Sequence, residues 1–195
     1  MRILSIDPSY SNFAIIVYDM TFKRELYSRN IKFSPLSSLR RHEKEMFLDI
    51  DYKSLNDKQI AYYKEIWTNI KLNYYVQEIK RLHEEYKYDI VVTESQFVQS
   101  MSDVFASVRL ASVINNHALP FFSYKSKSWN KILFNDGGMK SEKAKEVTKL
   151  KMQKIGFDFG NCQDLYDAAG ILFAFIKNEY NETFPQQFWN NLKVK

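Results

Sequence analysis

Four acids carry most of what this sequence says about chemistry. Asp7 closes the short apolar run RILSI and precedes a turn signal, Pro8-Ser9; Glu94 closes a second apolar run, IVVT; Asp164 and Asp167 lie three residues apart in QDLYDAAGILFAF. Residues at that spacing share one face of a helix, and at its start they meet the positive end of its dipole. Four carboxylates brought together without cations repel one another, and some stay protonated. Mg²⁺ or Mn²⁺, hard ions that prefer oxygen ligands, would neutralise them. Two such ions, about 4 Å apart, can hold a phosphodiester, activate a water and stabilise the leaving oxygen of an in-line attack that leaves a 5′-phosphate. Each acid also has a plainer use: Asp7 as a turn residue, Glu94 as the start of a loop, Asp164 as an N-cap, Asp167 as a first-turn dipole partner. Their order and joint placement favour the shared site.

The elements that must position them read as follows. A strand over Arg2 to Asp7, a second over Phe13 to Tyr18 and a third over Glu25 to Phe33 form an antiparallel meander. Residues 34–56 break the pattern with Pro35 and mixed charges and read as a loop or insertion. Ile60, Tyr63, Trp67, Ile70, Tyr74, Ile79, Leu82 and Tyr86 then recur at helical spacing. Ile90 to Glu94 is a short strand; Val104, Phe105, Val108, Ala111 and Ile114 mark a helix; Pro120 to Tyr124 is a fifth strand. Two amphipathic helices follow, over 140–155 and 164–176. The βαβ character of the second half predicts parallel neighbours. The whole is an α/β fold, a mixed five-stranded sheet of three antiparallel strands followed by parallel ones, with helices on both faces. In such sheets ligands bind beyond the carboxyl ends of the parallel strands, which is where Asp7 and Glu94 project.

Composition narrows the class. With 195 residues, 45% of them hydrophobic, the chain suits one well-buried domain. No apolar run reaches the length of a bilayer span, so no membrane partner is expected. The start MRILSIDPSY resembles neither a secretory signal nor a transit peptide, which places the expected location in the cytoplasm, or in a host's cytoplasm for a viral protein. A lone cysteine, Cys162, excludes an internal disulfide, and it makes no zinc site with the scattered His42, His83 and His117. The net charge of +5 favours a polyanionic partner, and an aromatic content of 16% supplies rings that could stack on bases. Richness in Tyr, Asn and Lys suggests an AT-rich genome, as in a phage or virus.

These segments resemble the RuvC-type Holliday-junction resolvases of the ribonuclease-H-like superfamily. ILSIDPSYSNFAIIVYD looks like their opening motif, DIVVTESQF like their glutamate strand, and QDLYDAAGILFAF like their closing helix with its acid pair. LPFFSY and the basic SKSWNKILFNDGGMKSEKAKE match their fifth strand and the lysine-bearing segment after it. The similarity spans roughly residues 1–33 and 88–180. It implies a single nuclease domain over 1–180, with an enlarged loop and helix at 34–87, and a C-terminal tail at 181–195. It further implies a homodimeric endonuclease that cuts branched, four-way DNA. Two Mg²⁺ ions, replaceable by Mn²⁺, would be held by Asp7, Glu94, Asp164 and Asp167. Phe97 falls where the family places an aromatic near the junction bases. Lys140 and Lys143 match its phosphate-contacting catalytic lysine, and Lys131 is a further candidate for DNA contact. The helix bearing Val104, Val108, Ala111 and Ile114 matches the element that pairs subunits.

Three other readings compete. A sugar-kinase or actin-like ATPase shares the opening hairpin but needs Gly-rich phosphate loops, and this chain has five glycines in all. A ribonuclease acting on RNA or RNA/DNA hybrid could use the same acids. A non-catalytic junction-binding protein would need only the basic surface, and clustered carboxylates would weaken its hold on phosphate.

Overall fold

Alternation along the first strand fixes the layout of the molecule. In the computed structural model, which describes residues 1–9, 12–34, 54–95, 101–114 (backbone only for 101–107) and 119–193, β1 spans Arg2–Pro8. Successive side chains of a strand point to opposite faces. Ile3 therefore packs into one core cluster, and Leu4 and Ile6 into another across the sheet. Asp7 shares the parity of Ile3 and Ser5. The Ser5 hydroxyl donates a buried 2.7 Å hydrogen bond to the carbonyl of Ala168, so the face toward which Asp7 points is the one covered by the helix carrying Asp164 and Asp167.

β2 (Asn12–Asp19) and β3 (Arg24–Lys32) fold back antiparallel, while β4 (Ile90–Glu94) and β5 (Phe121–Tyr124) add in parallel on the other side of β1. The strand order is β3-β2-β1-β4-β5. This is the mixed five-stranded sheet expected from the sequence, with strand limits within a residue or two of those read there.

Among the described residues, α1 (Asp57–Tyr86) and α2 (Met101–Ile114) cover one face. Asn56 caps α1 through a reciprocal pair of hydrogen bonds with Gln59, satisfying N–H groups that the first turn otherwise leaves free. Trp67, Leu72, Tyr75, Ile79 and Leu82 turn inward from α1, whereas Tyr74, which the spacing also assigned to the buried face, is 40% exposed. Arg109 on α2 reaches Glu65 at 2.7 Å and also bonds Asn69, tying the two helices together.

The opposite face is covered by α3 (Ser126–Phe134), α4 (Ser141–Lys154), α5 (Gln163–Glu179) and α6 (Gln186–Leu192), the last reached through a 3₁₀ turn at Asn181–Thr183. α3 and α6 add to the helices expected from the sequence. The segment after Tyr180 docks: Trp189 and Leu192 are fully buried, and the Trp189 indole N–H donates to the carbonyl of Asn181. Helix α5 is central to this layer, packing on β1, β2 and β4 and on the helices to either side. Among the described residues no helix is long and apolar enough to cross a membrane.

Candidate active site

The register of the sheet assembles the site. β1 and β4 pair in parallel as far as Ile6 and Thr93, and one residue further along the two neighbouring strands stand Asp7 and Glu94. Ile90 and Val92 belong to the α5-side core, so strand parity turns Glu94 to the same face as Asp7. On the other flank Asp7 pairs with Ala14, and Ala14 with Asn30. A row thus crosses the sheet as Asn30, Ala14, Asp7 and Glu94.

Helix α5 lies over this row. Its N-cap, Cys162, makes no side-chain cap, and Asp164 sits in the first turn, near the positive end of the dipole. All four acids line one open cleft of about 480 Å³, together with Ser126, Lys127, Trp129 and Asn130 of α3, Gly137 and Met139 of the following loop, and Ser141, Ala144, Lys145 and Thr148 of α4.

Three of the four carboxylates are held by a neutral N–H donor. The indole Nε1 of Trp129 donates to Glu94 Oε2 at 2.8 Å. Asn30 Nδ2 donates to Asp164 Oδ2 at 2.7 Å and also approaches the Cys162 sulfur at 3.2 Å. Gln163 Nε2 donates to Asp167 Oδ1 at 2.9 Å. For Asp7 the described residues provide no such donor. Among the described residues no three metal-binding side chains close on a common point as they stand. The four acids share the cleft without closing on one point.

The electrostatics carry the same message. Burial, reinforced by the negative charges of Asp167, Glu94 and Asp164, holds the Asp7 carboxyl well above the usual carboxylate range, with Lys145 opposing. Burial, with Glu94 and Asp164 adding to it, pushes Asp167 up to about 7 against the Gln163 hydrogen bond and the Lys145 charge. Burial also raises Glu94, and the Trp129 hydrogen bond offsets part of that rise. A set of oxygen donors that resists ionisation in this way suits a hard divalent cation, whose charge would remove the cause of the shifts.

The lysines fall differently from the sequence expectation. Lys140 and Lys143 stand exposed at the start of α4, outside the lining of the cleft, and Lys131 is exposed on the last turn of α3. Among the described residues, the lysines that line the cleft are Lys127 and Lys145. Lys145 lies one turn before Thr148, which with Met152 forms the buried side of α4. Trp129 and Asn30, which hold two of the acids, were also missed. Phe97 lies outside the described residues, as do the side chains of Val104 and Phe105.

Against solved structures, this chain superposes on the Thermus thermophilus RuvC structure with a TM-score of 0.61 and 15% identity, over 94% of this chain and 98% of that one. The chain has the RuvC fold. The T. thermophilus RuvC in complex with Holliday junction substrate gives a TM-score of 0.60 at 13% identity, over 89% of this chain and 91% of that one. No protein-family model matches the sequence, and no curated protein does. The ribonuclease-H-like arrangement expected from the sequence is thus present in three dimensions, at an identity that speaks to fold alone.

Proposed function

We propose that this chain is a structure-selective endonuclease that resolves four-way DNA junctions by divalent-metal-dependent phosphodiester hydrolysis, leaving 5′-phosphate ends. The observation that carries the reading is the convergence of Asp7, Glu94, Asp164 and Asp167 on one cleft, bordered by Lys127 and Lys145. It is supported by likeness of fold to RuvC, one structure of which holds a Holliday junction substrate.

Asp7, Glu94, Asp164 and Asp167 would hold Mg²⁺ or Mn²⁺. When bound, the cation supplies Lewis-acid polarisation of the phosphodiester and makes a bound water more acidic. The protein's own groups do the rest. Trp129, Asn30 and Gln163 orient three of the carboxylates through the hydrogen bonds given above. Lys145 and Lys127 bring positive charge to the rim, favouring a phosphate that enters against four acids. The N-termini of α3 and α4 both open onto the cleft, and neither has a side-chain cap, so their dipoles add to the attraction for the backbone. Symmetric resolution needs two cuts, and the reading therefore includes a homodimer, testable by light scattering.

The test is a cleavage panel: a mobile four-way junction, a linear duplex and an RNA/DNA hybrid, each with Mg²⁺, Mn²⁺ or chelator. Preferential cutting of the junction with metal is the expected result. Cutting of the hybrid alone would make the chain a ribonuclease, and junction binding without cutting would make it an architectural protein. Asp7→Asn should abolish cleavage while leaving junction affinity within a few-fold, because it removes an ion ligand and no phosphate contact. Normal cleavage by that variant would refute the site.

A further inference from the structure

Glu94 differs from the three aspartates in having one more rotatable bond, and it sits at the last position of a strand. A carboxylate on such a side chain samples several positions unless something fixes it, and each freedom retained is a cost paid when a ligand binds.

What fixes it is Trp129. The 2.8 Å contact from its Nε1 to Glu94 Oε2 lies in the range of charge-assisted hydrogen bonds. An indole N–H can only donate, so the two groups cannot exchange roles. The ring itself has little freedom. It is 3% exposed and packs edge-on to Phe134 with centroids 6.1 Å apart.

The decisive contact is on α5. A Cβ built on Gly170 would stand 2.7 and 3.1 Å from two carbons of the Trp129 ring and 3.4 Å from the Thr148 methyl. Glycine inside a helix is destabilising relative to alanine; here its missing side chain is what admits the tryptophan. Three helices meet at this point, each one turn from a residue that faces the cleft. Gly170 lies three residues after Asp167 and Thr148 three after Lys145, which is neighbouring placement on a helix. Trp129 itself carries the bond to Glu94. A single packed ring therefore spaces the β4 carboxylate against the α5 carboxylates and the α4 lysine.

We propose that Trp129 is the positioning residue of this site, its indole N–H fixing one oxygen of Glu94 and its ring, seated on Gly170, fixing where that N–H stands. The inference deepens the nuclease reading and rests on it for its effect on catalysis, while the hydrogen bond and its effect on ion binding are measured separately.

The first measurement is made on the metal-free protein. The chain has three tryptophans, so its ¹H–¹⁵N spectrum carries three indole signals, and Trp129→Phe identifies one by its loss. Glu94→Gln should move that signal upfield and leave the other two in place; a signal that does not move overturns the proposal. The second replaces Trp129 with benzothienylalanine by site-specific incorporation, which keeps the fused ring and lacks only the N–H. Mn²⁺ affinity should fall roughly 10- to 100-fold, the loss typical when a group orienting a ligand is removed. kcat should fall in parallel with KM for the junction unchanged, and the melting temperature should stay within a few degrees. Gly170→Ala should reproduce the loss of Mn²⁺ affinity by displacing the ring. Undiminished Mn²⁺ binding in the isosteric variant overturns the proposal. If the unaltered protein cuts no substrate, the nuclease reading fails, and the indole signal and Mn²⁺ titrations still decide this one.

Discussion

Asp167→Asn should make the metal-free protein more stable while destroying the site. The Asp167 carboxyl pKa in the folded chain is raised from the ordinary 3.8 to about 7, by burial first and then by Glu94 and Asp164. Between those values the folded chain holds a proton that the unfolded chain has released. Stability is therefore fully present below about pH 4 and is lost as pH rises through 7. At about 1.4 kcal/mol for each tenfold change in proton affinity, the limiting loss at pH 8 is on the order of 4 kcal/mol. Asp167 is partly open to the cleft and shares its charge interactions with its neighbours, which reduces the expected figure to about 1–3 kcal/mol. Asparagine keeps the oxygen that accepts from Gln163 and carries no charge, so it recovers that loss. For a chain of this size the gain corresponds to a melting temperature roughly 3–10 °C higher. The assay is a set of thermal melts in chelator from pH 5 to pH 8. The difference between variant and parent should widen as pH rises. Saturating Mg²⁺ should then narrow or reverse it, because the ion stabilises the parent preferentially. A variant no more stable than its parent at pH 8 in chelator would refute the electrostatic reasoning.

Lys145→Ala removes the cation that opposes the raised proton affinity of both Asp7 and Asp167, so in chelator at pH 8 it should lower the melting temperature, and with Mg²⁺ it should slow junction cleavage. Asn30→Ala deletes the donor that holds Asp164; cleavage should fall about tenfold and stability by about 1 kcal/mol, read from rates and urea midpoints. Trp189→Ala should cost about 3–5 kcal/mol in urea unfolding, because its side chain is fully buried.

How much of this was legible follows from which residues announce themselves. Short apolar strands ending on an acid were readable at Asp7 and Glu94, since strand alternation and strand-end placement are local properties. The acid pair on α5 was equally plain, because an i, i+3 spacing on a strongly apolar helix needs no tertiary information. Helix α3 was not read although its apolar residues gather on one side, because nine residues make only about two and a half turns. Trp129 and Leu133, four apart and both buried, were the trace it left. Lys145 could not be chosen from its neighbours by charge, since α4 carries several lysines and only the burial of Thr148 and Met152 shows which side faces the cleft. Asn30 looked like one polar position of an alternating edge strand; its role depends on a register running through Ala14 to Asp7. The tail had no period because α6 is only seven residues long, too short to display one, yet Trp189 and Leu192 anchor it. On α1, packing against the sheet chose Tyr75 over Tyr74, a choice between adjacent aromatics that spacing alone leaves open.

The central claim is that Asp7, Glu94, Asp164 and Asp167 act together as ligands of a divalent cation. Anomalous diffraction from crystals soaked in Mn²⁺ tests it most directly. Manganese peaks are expected inside the cleft, within coordinating distance of these four carboxylates, and are expected to be lost in Asp7→Asn. Peaks confined to other parts of the surface, or a cleft without manganese at saturating concentration, would contradict it.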